Sequence, residues 1–77
     1  MEKYVKFILK LPKDLRHKVI LLVKKITCGN LKNLDIKPLV GNGDFYRCRF
    51  GKIRIIFEKK GEKYIIYDIG FRGNIYN

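Results

Sequence analysis

The sequence predicts an α+β fold in which helical sequence packs on one face of a small antiparallel sheet. Three observations lead there. Residues 12–27 place apolar side chains at three- and four-residue steps. Residues 45–69 divide into three strand-like runs separated by short turns. The chain has 77 residues, enough for one domain, 1–77, with a modest core and no deep cleft between lobes. Chemistry therefore has to sit on a surface or in a shallow groove.

The elements follow in order. Residues 3–11 fit two periods. Tyr4, Phe7, Ile8 and Leu11 fall at helical spacing, whereas Val5, Phe7, Leu9 and Leu11 fit a strand. Pro12 suits the first turn of a new helix. From there to about Thr27, Leu15, Val19, Leu22, Val23 and Ile26 form an apolar stripe opposite Lys13, Arg16, Lys24 and Lys25. Asp14 complements the start of that helix dipole, and Lys24 and Lys25 its end. Cys28-Gly29-Asn30 reads as a stop, since Gly or Asn can take the left-handed cap. Residues 31–44 read as an irregular connector, because Pro38 and Gly41-Asn42-Gly43 oppose a regular element. Leu34, Ile36 and Leu39 are expected to anchor it to the core. Strands are expected at 45–50, 53–58 and 63–69, joined by Gly51-Lys52 and by residues 59–62. Short links between consecutive strands imply an antiparallel meander. The tail from Gly70 to Asn77 leaves the end of the last strand.

Eighteen Lys and Arg against seven Asp and Glu give a net charge of +11. So small a fold carrying that charge calls for an anionic partner: nucleic acid, an anionic membrane or an acidic protein. The basic residues spread along the whole chain and do not segregate onto one helix face, which argues against a membrane peptide. Cys28 and Cys48 lack the spacing and the His partners of a zinc site. Cys48, among apolar neighbours, reads as a small buried hydrophobe. No signal peptide or transmembrane stretch is visible, which leaves the cytoplasm as the default compartment.

Arginine is the unusual feature of the strands. Side chains alternate along a strand, so Arg47 and Arg49 share one face, with Tyr46, Cys48 and Phe50 on the other. Arg54 follows the first hairpin turn and Arg72 follows the last strand, so a meander can bring the four together. Guanidinium groups within reach of one another repel unless an anion lies among them, and they give phosphate bidentate contacts. RNA phosphate is the expected ligand, and a solvated charged face without a ligand is the competing reading. Tyr76, at the chain end, either stacks on a base or aims its hydroxyl at a phosphate, or else covers the edge of the core. His17 reads as an exposed helix residue.

These residues also resemble a known family. Pro38-Leu-Val-Gly, then Phe45 to Phe57 with its Tyr-Arg-x-Arg-x-Gly-x-x-Arg pattern, then Ile69 to Tyr76 with Gly-x-Arg-x-x-x-Tyr, are similar in order and spacing to the RelE/ParE toxin superfamily. Leu11-Pro12 followed by Asp14-Leu15-Arg16 resembles the junction between that family's two helices. The resemblance implies a RelE-like fold: a helical hairpin, or a single long helix, packed on a small antiparallel sheet. The family usually opens with a strand, and here residues 3–10 align with its first helix. The first edge strand is then either absent or supplied by residues 3–9.

The resemblance further implies the toxin of a bacterial type II toxin–antitoxin system, a metal-independent endoribonuclease that cuts mRNA in the ribosomal A site and needs no cofactor. Carried over by position, Arg47, Arg49, Arg54, Arg72 and Tyr76 are the catalytic candidates, with Lys37 and Lys52 as RNA-binding residues. Attack of a ribose 2′-hydroxyl on the adjacent phosphate needs a proton acceptor, stabilisation of the phosphorane charge and protonation of the leaving oxygen. Arg54 and Arg72 suit the charge. Relatives often carry Lys where this chain has Arg47 and Arg49, and many carry His where it has Phe71. The general base is thus left among Tyr76, Asp44 and ribosomal RNA. The partners implied are mRNA and an acidic cognate antitoxin, in a toxin–antitoxin hetero-oligomer and without a membrane. Two alternatives share the resemblance: a ParE-like gyrase inhibitor, and a catalytically weak basic module that mainly binds its antitoxin.

Overall fold

A computed structural model describes residues 3–39, 41 and 43–71. Helices α1 (Lys3–Leu9) and α2 (Lys13–Thr27) precede four strands, β1 (Asp35–Pro38), β2 (Phe45–Phe50), β3 (Ile53–Lys60) and β4 (Lys63–Phe71). The strands form one sheet in the order β1-β2-β3-β4, with every neighbouring pair antiparallel. Both helices pack on one face of it, chiefly against β4.

The ambiguity at residues 3–9 resolves as helix. Helical spacing lets Ile8 and Leu11 enter the core, with Tyr4 and Phe7 packed against it. Residues 3–9 therefore do not supply an opening strand, and the helical layer is a hairpin. The two helices meet at Pro12, whose φ of −54° and extended ψ of 149° suit an N-cap position, and whose carbonyl accepts from the Arg16 N–H at 2.8 Å. The stripe of α2 behaves as its period predicts: Val19, Leu22 and Ile26 are buried. The helix ends in a Schellman motif. Asn30 N–H donates to the Lys25 carbonyl at 2.9 Å and Gly29 N–H to the Ile26 carbonyl at 3.0 Å, with Gly29 at φ +79°.

The connector expectation for residues 31–44 is corrected. Residues 35–38 are a strand, paired with β2 through Asp35↔Arg49, Ile36↔Cys48, Lys37↔Arg47 and Pro38↔Tyr46. Pro38 is tolerated because β1 is an edge strand and its missing N–H falls at the strand end. The meander thus has four strands. Leu34 and Ile36 pack on the core as expected, but Leu39 lies against Phe45, Ile56 and Tyr67 on the opposite side of the sheet. Strands β3 and β4 also run further than expected. Lys60 pairs with Lys63, which reduces the second hairpin loop to Gly61-Glu62. Gly51 and Gly61 open their two-residue turns at φ +57° and +61°, where glycine is the residue that fits without strain.

Phe57 is fully buried at the centre of the core. Its ring stacks on Tyr46 at 5.6 Å and meets Tyr64 edge-on at 5.8 Å. Both cysteines are free, Cys28 exposed and Cys48 buried. Burial, and secondarily the negative charge of Asp35, push the Cys48 thiol up to about 11. No described helix is long and apolar enough to cross a membrane, and the described residues contain no cluster of metal-ligating side chains.

Candidate functional site

The face of the sheet turned away from the helices carries the predicted basic residues. Core side chains Cys48, Ile53, Ile55, Phe57, Ile66 and Ile69 occupy the helix side. Alternation then directs Arg47 and Arg49 of β2 and Arg54 and Ile56 of β3 to the open side. The strand register arranges this side in rows. One row runs Asp35, Arg49, Arg54, Gly70, and the next runs Lys37, Arg47, Ile56, Asp68. Beyond them Phe45 pairs with Glu58, which pairs with Ile65. Leu39 joins that third row through its N–H, which donates to the Phe45 carbonyl at 2.9 Å.

Arg47, Arg49, Arg54 and Lys37 therefore meet on one surface. Arg49 and Arg54 are direct cross-strand partners, and such partners have Cβ atoms about 5 Å apart. Arg54 is 8% exposed, the one buried charged residue among those described. Its row neighbour on β4 is Gly70. The Nε of Arg47 is buried without a hydrogen-bond acceptor among the described residues. An orphaned donor of this kind costs about 1–3 kcal/mol, which an anion oxygen would offset. Neither Arg47 nor Arg49 forms an ion pair with a described residue, where the one salt bridge joins Lys60 and Glu58 at 3.9 Å. Lys52 lies exposed in the β2–β3 turn, one step beyond the Arg49–Arg54 pair. Arg72 and Tyr76 lie outside the described residues.

Sequence reasoning missed part of this surface. Asp35, Glu58 and Asp68 stand among the cations, so the face is not uniformly positive. Phe45 and Tyr67 add a ring pair at 5.2 Å and 88°. The alternation of Asp35, Ile36 and Lys37 was the available signal for β1, and Pro38 obscured it. Phe71 meets Phe7 edge-on at 5.1 Å. That position serves the packing of α1 on the sheet.

No family model matches the chain. A curated protein named Toxin RelE3, from Methanocaldococcus jannaschii, is 31% identical over an alignment of 77 positions that spans 96% of this chain and 88% of that one. The crystal structure of a RelB-RelE antitoxin-toxin complex from Methanococcus jannaschii contains a chain with a TM-score of 0.82 and 27% identity, matched over 99% of this chain and 92% of that one. Its RelE fold has the same architecture of two helices on a four-stranded antiparallel sheet.

Proposed function

Since this chain belongs to the RelE family of toxins, we propose that it is the toxin of a toxin–antitoxin pair and that it blocks translation in the cytoplasm by cutting mRNA in the ribosomal A site. The observation that carries the reading is the convergence of Arg47, Arg49 and Arg54 on one open sheet face. Three guanidinium groups in two adjacent rows match a phosphodiester that gains negative charge as it becomes pentacovalent. Arg54, the most enclosed of them, suits the phosphorane charge, because a buried cation acts through a lower dielectric than an exposed one. Arg47, Arg49 and Lys37 suit the flanking phosphates, and Lys52 a phosphate beyond the turn. Arg72 and Tyr76, one and five residues past the end of β4, are the tail's contribution. Guanidinium groups supply charge and not a base, so the acceptor for the 2′-hydroxyl proton comes from Tyr76, Asp44 or ribosomal RNA.

The partner that restrains such a toxin is an acidic antitoxin. Support comes from the RelB–RelE complex and from charge: residues 3–27 hold eight Lys and Arg against the single carboxylate of Asp14. A basic helical layer speeds encounter with an acidic, partly disordered segment.

One observation favours a second reading, a catalytically weak module whose main act is to bind its antitoxin. The position that carries His in many relatives is here Phe71, turned to the helices and packed on Phe7. Induced expression with transcript mapping separates the readings. The nuclease reading expects growth arrest with new mRNA 5′ ends inside codons, relieved by Arg54→Gln, Arg72→Ala or Tyr76→Ala. Arrest with DNA damage and intact transcripts would point to gyrase instead, and no arrest at all to the binding module.

A further inference from the structure

We propose that Phe45 and Tyr67 form a stacking platform for one base of single-stranded RNA, beside the phosphate held at Arg47; this rests on the reading that RNA crosses the open sheet face. Tyr67 is 68% exposed, unusual for a large ring in a small domain. A register shift explains how it comes to stand there. Ile56 pairs with Asp68 but Phe57 pairs with Ile66, so Tyr67 is an extra residue with no partner on β3. Bulges of this kind re-aim a side chain. The bulge brings the Tyr67 ring against Phe45 in an edge-to-face contact. Such a contact occupies a face of only one of the two rings, so aromatic surface remains free.

The two rings, with Leu39 and Ile56, line a shallow hollow of about 190 Å³. Ile56 is also the row neighbour of Arg47. Phe45 and Arg47 are two residues apart on β2, about 7 Å along the strand, close enough for one nucleotide to touch both. Aromatic faces beside a cationic row are what base stacking with phosphate neutralisation requires. The carboxylates bordering the hollow favour a base over an acidic protein segment. Glu58 adjoins Phe45 and Asp68 adjoins Ile56. Both disfavour a carboxylate side chain in the hollow, whereas a base is uncharged there, donates to them from its exocyclic amino group, and keeps its phosphate at Arg47. Oδ1 of Asp68 already accepts from the Ile69 N–H at 3.0 Å, which leaves Oδ2 for such a contact.

The chain contains no tryptophan, so Tyr67→Trp introduces a sole indole reporter at an exposed position. The full-length variant is titrated with a short oligoribonucleotide and with an abasic oligomer of equal length. Binding of each is followed separately by anisotropy of the labelled oligomer. The expected result is binding of both, with indole quenching only by the base-bearing one. Tyr67→Ala then weakens the base-bearing oligomer about tenfold and leaves the abasic one unchanged. Binding without selective quenching, or an unchanged affinity in Tyr67→Ala, would overturn the platform while the RNA reading stands. Failure to bind either oligomer overturns the platform, while the nuclease reading stands or falls separately on transcript mapping in cells, where the ribosome is present. Quenching by an acidic amphipathic peptide and not by RNA assigns the hollow to a protein partner and also overturns the proposal.

Discussion

Replacing Arg49 with Gln should make the protein more stable and a weaker RNA binder at once. Arg49 and Arg54 face each other directly across β2 and β3. Two unit charges about 6 Å apart at an effective dielectric of about 20 repel by roughly 3 kcal/mol. Arg49 is only partly buried and its long side chain still reaches water, so the realised penalty falls toward the cross-strand scale of about 0.2–1 kcal/mol. Asp35 is the opposing consideration, since it faces Arg49 from β1. No ion pair joins them among the described residues, and an exposed attraction of that kind contributes little. The sum is a stabilisation of about 0.5–1 kcal/mol, or about 3–6 °C in Tm for a domain of this size. Thermal unfolding by circular dichroism measures it. In molar salt, where the Debye length is about 3 Å, the gain should shrink. Affinity for single-stranded RNA should drop about tenfold, and the salt slope of log K by about 0.7, one phosphate contact. A lower Tm at low salt, or a gain that persists in molar salt, would refute the claim that repulsion is held on this face.

Three further outcomes test the fold. Phe57→Ala empties the centre of the core and should cost about 3–5 kcal/mol, enough for urea titration to find the chain largely unfolded in water. Gly29→Ala places a Cβ 3.7 Å from Tyr64 Cε2, an ordinary contact. Its cost of about 1 kcal/mol comes from the left-handed φ of +79° alone, and a neutral result in the same titration would contradict the Schellman cap. The folded Cys48 thiol holds its proton up to about 11, above the ordinary 9.0. The stability from keeping it neutral is therefore complete below pH 9 and lost as pH rises toward 11. Melting curves across that window should fall more steeply for the parent than for Cys48→Val, and a thiol reagent should label Cys28 but spare Cys48 until denaturant is added.

The sequence made some of these elements plain and hid others for physical reasons. The stripe from Leu15 to Ile26 is long enough for its period to be unambiguous, and the glycines at 51 and 61 mark hairpins whose turns demand positive φ. Residues 3–9 satisfy two periods at once, and only packing against β4 chooses the helix. Strand β1 is four residues long, carries a proline and takes its stability from β2, so local propensity had little to report. Leu39 is apolar, and hydropathy alone points it to the core. It instead joins a second, outward apolar group that exists only once the sheet is formed. Within the site, period two put Arg47 and Arg49 on one face, and the turn at Gly51-Lys52 set Arg54 opposite. Tyr67 could not be placed in this way, because the bulge at Ile56/Phe57 resets the alternation on β4.

The sheet order has a kinetic consequence. Each strand hydrogen-bonds to the strand before it in the chain, so pairing proceeds one hairpin at a time and closes only short loops. The entropy barrier to forming the sheet stays low, while the two helices, which pack on β4, can dock only once that last strand is in place. A newly synthesised copy would be structurally mature almost as soon as its last residue left the ribosome, which gives any inhibitor little time to act before the finished protein must be met.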